Sequence, residues 1–298
     1  MNQTGKYTVH EVVERTAVAA GTLRQWERRY GVPHPDRSDS GYRLYSEDDL
    51  RVIEAMKRYI ADGVPASRAA ELVARVGRER RAPAPALALR RRLVDAFLAL
   101  DEEAAERVLG EAHALHPVEI VVPEVIGGAM VVIGDLWHEG RIETTTEHFA
   151  SSFVHGWLRH LMSMTSRRGA GSPVLVACAP TDRHQIGPMM LALLLRRAGH
   201  SVVFLGADTP LEDLHAMARS VGAWAVMIGA SNEIALDALR ERRALLSNIA
   251  PVVVYGGAAF DRDPSQAELL GGLYLADDIR QVVERFDELS GRTRWSRA

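Results

Sequence analysis

Cysteine is almost absent from this chain. Cys178 is the single cysteine among 298 residues, which excludes a disulfide framework and zinc sites built from cysteine thiolates. It lies in the apolar run Val174–Cys178, a position typical of a small core side chain rather than of a nucleophile. Chemistry that needs a reactive thiol is therefore not expected.

Long apolar stretches and a strong excess of charge are also missing. No apolar run approaches the roughly 20 residues that span a bilayer, and the N-terminus lacks the apolar region of a signal peptide. We therefore expect a cytoplasmic protein with no membrane partner. The formal net charge of −3 does not by itself suggest nucleic acid, although a local basic surface can still bind it.

The chain has the length and composition of a soluble protein with two or three domains. It contains 25% charged and 47% hydrophobic residues, which is ordinary for globular proteins. Residues 1–80 are polar and arginine-rich with short helical units, and residues 81–86 contain two prolines and indicate a linker. Residues 87–168 show helical periodicity with no strand pattern, which predicts a bundle of about four helices.

Residues 172–298 alternate between apolar strands and amphipathic helices. The predicted strands are 174–178, 202–206, 224–229, 252–255 and 273–275, and the predicted helices lie near 187–198, 211–220, 234–247, 262–270 and 277–289. This alternation predicts a flavodoxin-like, doubly wound parallel sheet with helices on both faces. Such sheets bind ligands beyond the carboxyl ends of their strands, where the strand order reverses.

The motif Asp182-x-His184-x-x-Gly187 follows the first of these strands directly. Asp182 can hold one nitrogen of the imidazole ring while the other binds a metal. Gly187 has no side chain, so a broad, flat ligand can approach the backbone closely there. A histidine that only caps the next helix is the alternative, but the fold places His184 at the ligand-binding edge. The motif resembles that of cobalamin-binding domains, in which the histidine binds cobalt from below.

The N-terminal segment predicts a winged helix. Thr8 and Glu11 form the pattern of a capping box at the start of a first helix, and a second helix over residues 20–31 ends at Gly31. A turn-rich hairpin over residues 33–46 precedes a third helix. In DNA-binding proteins, two helices followed by a basic hairpin place one helix in the major groove of the DNA and the hairpin on the flanking phosphates.

Two strings in this segment closely resemble the landmarks of the MerR family, namely Leu-Arg-Gln-Trp-Glu-Arg-Arg-Tyr-Gly at 23–31 and Gly-Tyr-Arg-Leu-Tyr at 41–45. The resemblance implies double-stranded operator DNA as a partner. The DNA contacts that it implies are Arg24, Arg28, Arg37, Tyr42 and Arg43. A solvated helix face is the alternative for the arginines. Trp26 and Tyr30 are expected in the core, because aromatic side chains inside a helix usually bury their area.

A third pattern lies in the helical segment, where Glu147 and His148 follow Trp137 after nine intervening residues. Alone, such a tryptophan is most often core, and Glu-His at a helix start is most often a cap. With the Asp182 motif and the MerR-type head, the whole chain resembles the CarH/LitR type of adenosylcobalamin-dependent photoreceptor repressors. The resemblance implies adenosylcobalamin as cofactor, with His184 as its lower cobalt ligand. It further implies that Trp137 covers the adenosyl group, that Glu147 and His148 offer it polar contacts, and that His138 binds cobalt from above after light.

One segment departs from the cobalamin-binding pattern. These domains often carry a serine-containing segment after the third strand and two glycines after the fourth, which line the slot for the cofactor's nucleotide tail. Gly256 and Gly257 are well placed for this, whereas residues 229–233 do not match cleanly and offer Ser231 as the plausible contact. Further candidates at the end of the second strand are Gly206 and Asp208.

These observations predict a light-responsive transcriptional repressor rather than an enzyme. We expect monomers without cofactor, a larger assembly, a tetramer by resemblance, with adenosylcobalamin in the dark, and monomers after light. One alternative is a cobalamin-sensing regulator that does not respond to light, and another is a regulator that has lost its cofactor. A corrinoid carrier or methyltransferase module is an alternative of a different class, and the winged-helix head counts against it.

Overall fold

The computed structural model describes residues 6–37, 42–61, 63–70, 72–73, 84–165 and 170–291. The wing residues 38–41, which include Gly41 of the second MerR-like string, lie outside the described residues, as do 81–83 of the predicted linker. The chain divides into two compact units, residues 1–83 and 84–298.

The first unit is a winged helix, as the sequence predicts. Its elements are β1 (Tyr7–Thr8), α1 (Val9–Thr16), α2 (Ala20–Tyr30), β2 (Asp36–Arg37), β3 (Arg43–Tyr45) and α3 (Glu47–Ala61). The three strands form an antiparallel sheet in the order β1-β3-β2. Thr8 and Glu11 make the predicted capping box, and Gly31 ends α2 in the left-handed conformation with φ 65°. Residues 66–70 are also helical.

One face of helix α2 packs in the core of this unit. Leu23 and Trp26 are buried with Tyr45 of β3 and Ile53 of α3, and Tyr30 packs against the same cluster while partly exposed. The expectation that both aromatic side chains of α2 pack inward is confirmed. The opposite face of α2 is left at the surface.

The second unit begins with a helical bundle. Its elements are α4 (Ala84–Leu98), α5 (Glu102–Leu115), α6 (Val118–Ile120), a π-helix (Val121–Gly127), α7 (Gly128–His138) and α8 (Thr144–Met164). Because α6, the π-helix and α7 follow one another without a break, residues 84–165 contain four helical stretches, as predicted for a bundle. The first of them begins at Ala84, so residues 84–86 of the predicted linker are helical.

Among the described residues, the stretch Val118–His138 is long and apolar enough to cross a membrane by length and composition. The expectation that no stretch approaches this length was therefore wrong. The residues of this stretch in the bundle core include Val125, Ile126 and Ile133, which are fully buried. A helix that is central to a bundle needs apolar side chains on much of its surface, as a membrane helix does.

The π-helix of this stretch carries a buried ion pair. Arg90 of α4 donates from Nε to the backbone oxygen of Glu124 at 2.7 Å, and its Nη2 lies 3.2 Å from the Glu124 carboxylate. The guanidinium crosses Gly128, where a Cβ atom would lie only 2.3 Å from Arg90 Nε. Buried charges need such partners, because unpaired ones lose their hydration without compensation.

The remainder of the second unit is a parallel sheet with helices on both faces. Its strands are β4 (Ala170–Cys178), β5 (His200–Gly206), β6 (Ala225–Gly229), β7 (Val252–Gly256) and β8 (Leu273–Tyr274), in the order β5-β4-β6-β7-β8. Its helices are α9 (Ile186–Arg197), α10 (Leu211–Val221), α11 (Glu233–Glu241), α12 (Arg243–Leu246), α13 (Ala258–Arg262), α14 (Ser265–Leu269) and α15 (Ile279–Leu289). The predicted flavodoxin-like order is confirmed. The helix predicted over 262–270 is instead split between α13 and α14 at Asp263-Pro264, because proline lacks the N–H that a continuous helix needs.

Alternate side chains of β4 enter two different cores. Val174 and Val176 pack with the bundle and α9, whereas Leu175 and Ala177 pack with the helices of the other face. The bundle therefore shares its core with one face of the sheet. This packing fixes the bundle relative to the strand that leads to His184.

Candidate functional site

The reversal of strand order lies between β4 and β6, which are neighbouring interior strands of the sheet. They pair in parallel with Cys178 opposite Gly229, and Ala179 N–H donates to the Gly229 carbonyl at 2.8 Å. The loops that follow both strands therefore leave the sheet side by side. They bring His184 and Ser231 together at the edge where doubly wound sheets bind ligands.

Asp182 holds His184 by two hydrogen bonds. Its Oδ1 atom lies 2.9 Å from His184 Nδ1 and accepts a second bond, also 2.9 Å, from the His184 backbone N–H. The carboxylate is 2% exposed, whereas the imidazole is 69% exposed. Because Nδ1 is held by the carboxylate, Nε2 is the ring nitrogen that can bind a metal.

Ser231 completes this group from the end of β6. Its backbone N–H donates to Asp182 Oδ2 at 2.6 Å, and its hydroxyl donates to Oδ1 at 2.9 Å. The same hydroxyl oxygen lies 2.8 Å from His184 Nδ1. The sequence suggested Ser231 only as a contact for the nucleotide tail. The structure places it among the hydrogen bonds that orient the imidazole, and its contact with a nucleotide tail stays a prediction.

The electrostatics of the pair follow from these contacts. Burial raises the pKa of Asp182, but the hydrogen bonds from His184 and Ser231 outweigh it and the net pKa is lowered. The hydrogen bond to Asp182 raises the pKa of His184 more than burial lowers it, and the negative charges of Asp182 and Glu147 add to the rise. An ionised carboxylate behind the ring makes the imidazole a better electron donor to a metal.

The loop that carries the motif is fixed from the end of β5. The Thr181 N–H donates to Asp208 Oδ1 at 2.7 Å, and the Asp208 N–H donates to the Asp182 carbonyl at 2.8 Å. Thr181 and Asp208 both have positive φ angles, 68° and 48°, which side chains adopt only where the surroundings enforce them. Asp208 therefore supports the His184 loop, while a role of Gly206 and Asp208 in the slot for a nucleotide tail stays a prediction.

The glycines at this edge differ in what surrounds them. A Cβ atom at Gly187 or Gly256 would meet nothing within 4 Å, so both leave open space. At Gly257 a Cβ atom would lie 2.7 Å from the Ala230 carbonyl oxygen, and φ is 92°. Gly257 is thus required by the close approach of the β6 and β7 ends, while Gly187 leaves room beside His184.

Trp137 and His138 stand at the end of α7 with their rings in contact. The ring centroids are 4.8 Å apart, and the indole N–H of Trp137 donates to Thr144 Oγ1 at 3.2 Å. His138 Nδ1 lies 2.8 Å from the Gly134 carbonyl oxygen. Trp137 is 38% exposed, so part of the indole ring lies at the surface.

Glu147 and His148 lie in the first turn of α8. Glu147 accepts a hydrogen bond from Ser151 Oγ at 2.5 Å, and its other oxygen lies 3.8 Å from His148 Nε2. The negative charge of Glu147 makes a small contribution to the raised pKa of the His184 imidazole.

The exposed face of α2 in the first unit is basic. Arg24, Gln25 and Arg28 are exposed, opposite the buried Leu23 and Trp26. In the wing, Arg37 is exposed at the end of β2, and Tyr42 is 74% exposed just before β3. The side chains predicted to contact DNA from α2 are therefore accessible, and so are Arg37 and Tyr42.

Arg43 has a different environment from the other predicted DNA contacts. Its Nε and Nη2 donate to the two carboxylate oxygens of Glu27 at 2.7 and 3.1 Å, and it is 29% exposed. This bidentate pair joins β3 of the wing to α2. Sequence reasoning assigned no role to Glu27, although its place beside Arg28 in the MerR-like string was the available signal.

Comparison with protein-family models agrees with this architecture. Residues 7–76 match the MerR HTH family regulatory proteins, and residues 89–162 and 172–280 match two models of B12 binding domains. A winged-helix head followed by both parts of a B12 binding module defines a B12-dependent regulator of the MerR type.

Two curated relatives identify the family. The chain is 31% identical over 300 residues to the HTH-type transcriptional repressor CarH of Myxococcus xanthus, covering 96% of this chain and 98% of that protein. It is 33% identical over 205 residues to the HTH-type transcriptional repressor CarA of the same organism, covering 68% of each. This chain belongs to the CarH family of B12-dependent, MerR-type transcriptional regulators, which are not enzymes.

Among solved structures, the monomethylamine corrinoid protein of Methanosarcina barkeri has a similar fold. The TM-score is 0.53 at 17% identity, over 66% of this chain and 96% of that one. At this identity the likeness concerns the fold alone. It supports the arrangement of a helical bundle beside a parallel sheet.

Proposed function

We propose that this protein is a light-responsive transcriptional repressor that uses adenosylcobalamin and binds operator DNA in the dark. The observation that carries the proposal is the exposed imidazole of His184, held through Nδ1 by the buried Asp182. The bundle that carries Trp137 and Glu147 shares its core with Val174 and Val176 of the strand that leads to His184. We infer that the bundle forms a second wall, and that a flat metal complex binds between this wall and the metal-binding nitrogen of His184.

The lower wall supplies the groups that such a cofactor needs. His184 binds cobalt through Nε2, while Asp182 and Ser231 orient the ring. The open space at Gly187 admits the macrocycle, and we infer that Gly256 and Gly257 line the slot for its nucleotide tail. When bound, adenosylcobalamin supplies a cobalt ion and a light-sensitive cobalt–carbon bond.

The upper wall supplies the groups that distinguish the adenosyl form. Trp137 covers the adenosyl group with an indole that Thr144 holds in place, and Glu147 and His148 offer polar contacts. His138, in ring contact with Trp137, would supply an imidazole to the cobalt in the absence of the adenosyl group. A local exchange of this kind can drive a change in assembly, as in other switches built on two packing arrangements.

We assign the parts of the chain accordingly. Residues 1–80 bind DNA through Arg24, Arg28, Arg37 and Tyr42, with Arg43 at the wing. The segment that begins at residue 81 connects the head to the bundle, whose first helix starts at Ala84. The bundle caps the upper face, and residues 172–298 bind cobalamin from below. Self-association in the dark, as a tetramer, links several heads and raises affinity through effective concentration, whereas separated heads lose it.

Visible spectra and DNA binding together test this proposal. Purified protein is loaded with adenosylcobalamin in the dark, its spectrum and its retention of promoter DNA are measured, and both are measured again after illumination. We expect a spectrum with imidazole below cobalt, DNA binding in the dark, and release after light. DNA binding that depends on cobalamin but is unchanged by light would instead support a regulator that senses the cofactor.

A further inference from the structure

The exposed face of α2 forms a single stripe. Successive residues of an α-helix are about 100° apart, so residues spaced by three, four and seven positions share a face. Gly21, Arg24, Gln25 and Arg28 have this spacing and are all exposed. They line one concave surface together with Glu27 and Arg43. Leu23 and Trp26 lie on the opposite, buried side, so the stripe points directly away from the core.

The members of this stripe differ in what they can recognise. The arginines carry a positive charge that attracts phosphates of any sequence. Gln25 is uncharged and gains little from the phosphates, but its amide carries a donor and an acceptor side by side. That pair matches N6 and N7 of adenine at the edge that faces the major groove. Gln25 is thus the member of the stripe whose chemistry suits a base rather than the backbone.

The surroundings of Gln25 allow α2 to approach a DNA base closely and hold the helix in a fixed position. Gly21 precedes it by one helical turn and presents no side chain, and a Cβ atom there would meet nothing within 4 Å. On one flank of the stripe the Glu27 carboxylate is paired with Arg43, which offsets its repulsion of phosphates and fixes α2 against the wing. A polar side chain on a helix held in this way can read a base with defined geometry.

We propose that Gln25 is the specificity-determining residue of α2, selecting an adenine in the major groove of each half-site. The inference rests on the proposed function as a DNA-binding regulator and deepens it. Arg24 and Arg28 supply affinity, and Gln25 supplies sequence preference.

Selection of bound duplexes from a randomised DNA library tests this inference. The full-length protein is used in the dark with adenosylcobalamin, as wild type, Gln25→Ala and Gln25→Glu. Arg28→Ala is the matched control from the same stripe, three residues along. Sequencing the bound duplexes gives the preference at each position, and titrations at several salt concentrations give affinity.

We expect the wild type to select adenine at one position of each half-site. Gln25→Ala should lose that preference by about tenfold or more, with unchanged preferences elsewhere and an unchanged salt dependence. Gln25→Glu should shift the preference at the same position toward cytosine, whose N4 amino group donates to a carboxylate. Arg28→Ala should weaken binding to all sequences, while the preference for adenine at that position is retained.

Identical sequence preferences in the wild type and both Gln25 variants, with DNA binding intact, would overturn the inference and leave the proposed function standing. A wild-type protein that retains no duplex in the dark, in the light or without cofactor would overturn the proposed function, and the inference with it. The two failures are therefore distinguishable from one experiment.

Discussion

Arg280 and Glu124 join the last helix of the sheet domain to the π-helix of the bundle. Arg280 Nη2 lies 2.6 Å from one carboxylate oxygen of Glu124, and the other oxygen lies 3.2 Å from Arg90. The carboxylate is 7% exposed, and Asp278 also contacts Arg280 at 2.9 Å. One buried acid therefore connects the bundle and the sheet through two guanidinium groups.

We predict that Glu124→Ala destabilises the second unit by about 3–5 kcal/mol, because it leaves two partly or fully buried guanidinium groups without their shared partner. Glu124→Gln should cost less, since it keeps the shape and one acceptor. Urea unfolding followed by tryptophan fluorescence measures the change. The control is Glu119→Gln, which removes the more exposed pair with Arg197 and should cost about 1 kcal/mol or less. Equal effects at both sites would show that burial of the Glu124 pairs is not what stabilises the unit.

The lower ligand can be tested by removing its imidazole. We predict that His184→Ala greatly weakens cobalamin binding or gives a spectrum without imidazole below cobalt. Asp182→Asn should bind more weakly than wild type, because the ring loses the carboxylate that orients it. His160→Ala removes an exposed histidine near the end of α8 and should leave titration and spectrum unchanged. A wild-type spectrum from His184→Ala would mean that the motif only begins a helix.

Assembly should depend on both cofactor and light. We expect monomers without cofactor, a tetramer with adenosylcobalamin in the dark, and monomers after illumination, as measured by sedimentation or light scattering. His138→Ala should assemble and dissociate like wild type, because Trp137 remains in place to cover the upper face. Its illuminated form should lack a stable second imidazole on cobalt. A single unchanged mass under all three conditions would rule out the switch even if the cofactor binds.

Substitution of either of two arginines in the head should weaken DNA binding, but for different reasons. Arg28→Ala removes an exposed cation and should lower operator affinity and reduce the salt dependence by about one unit of slope. Arg43→Ala breaks the pair with Glu27 and should lower affinity through the position of the wing. Glu27→Gln should therefore reproduce part of the Arg43→Ala defect, whereas it should not resemble Arg28→Ala. Cobalamin uptake should be unchanged in all three, and wild-type affinity in both arginine variants would exclude this DNA-docking arrangement.

The single thiol should be inert in the folded protein. Cys178 is 1% exposed, and burial raises its pKa to about 12, with a smaller contribution from the charge of Asp182. At pH 8 the folded protein therefore holds almost no thiolate, which is the reactive form. A chromogenic disulfide reagent should react slowly with native protein and rapidly in urea. Complete reaction of the native protein within the mixing time would contradict the buried position of Cys178.

Much of the fold could be predicted because local and global signals agree. Thr8 and Glu11 cap the first helix, Gly31 ends the second, and apolar strands separated by helices give the order of the parallel sheet. The π-helix could not be predicted, because periodicity does not separate it from an α-helix. The apolar composition of Val118–His138 likewise cannot distinguish a bundle core from a membrane span.

The candidate site was predicted in its residue types but not in all of its contacts. His184 and Asp182 are two residues apart, so their pairing could be inferred from spacing. Ser231 is 49 positions from Asp182, and its bonds depend on the pairing of β4 with β6. The pairing of Glu27 with Arg43 similarly needs the wing to fold back on α2. Contacts between distant segments follow from topology, which sequence patterns specify only in outline.

The loop between β4 and α9 has a consequence for the thermodynamics of cofactor capture. Asp182 is bonded by its side chain to Ser231 and His184, and by its carbonyl to Asp208, so the ends of three neighbouring strands converge on one residue. A ring anchored in this way has little rotational freedom left to lose when a ligand arrives. Because ordering a mobile side chain typically costs about 0.5–1.5 kcal/mol on association, that cost is met during folding. The affinity for the metal complex then depends mainly on the bond itself and on the fit of the surrounding walls.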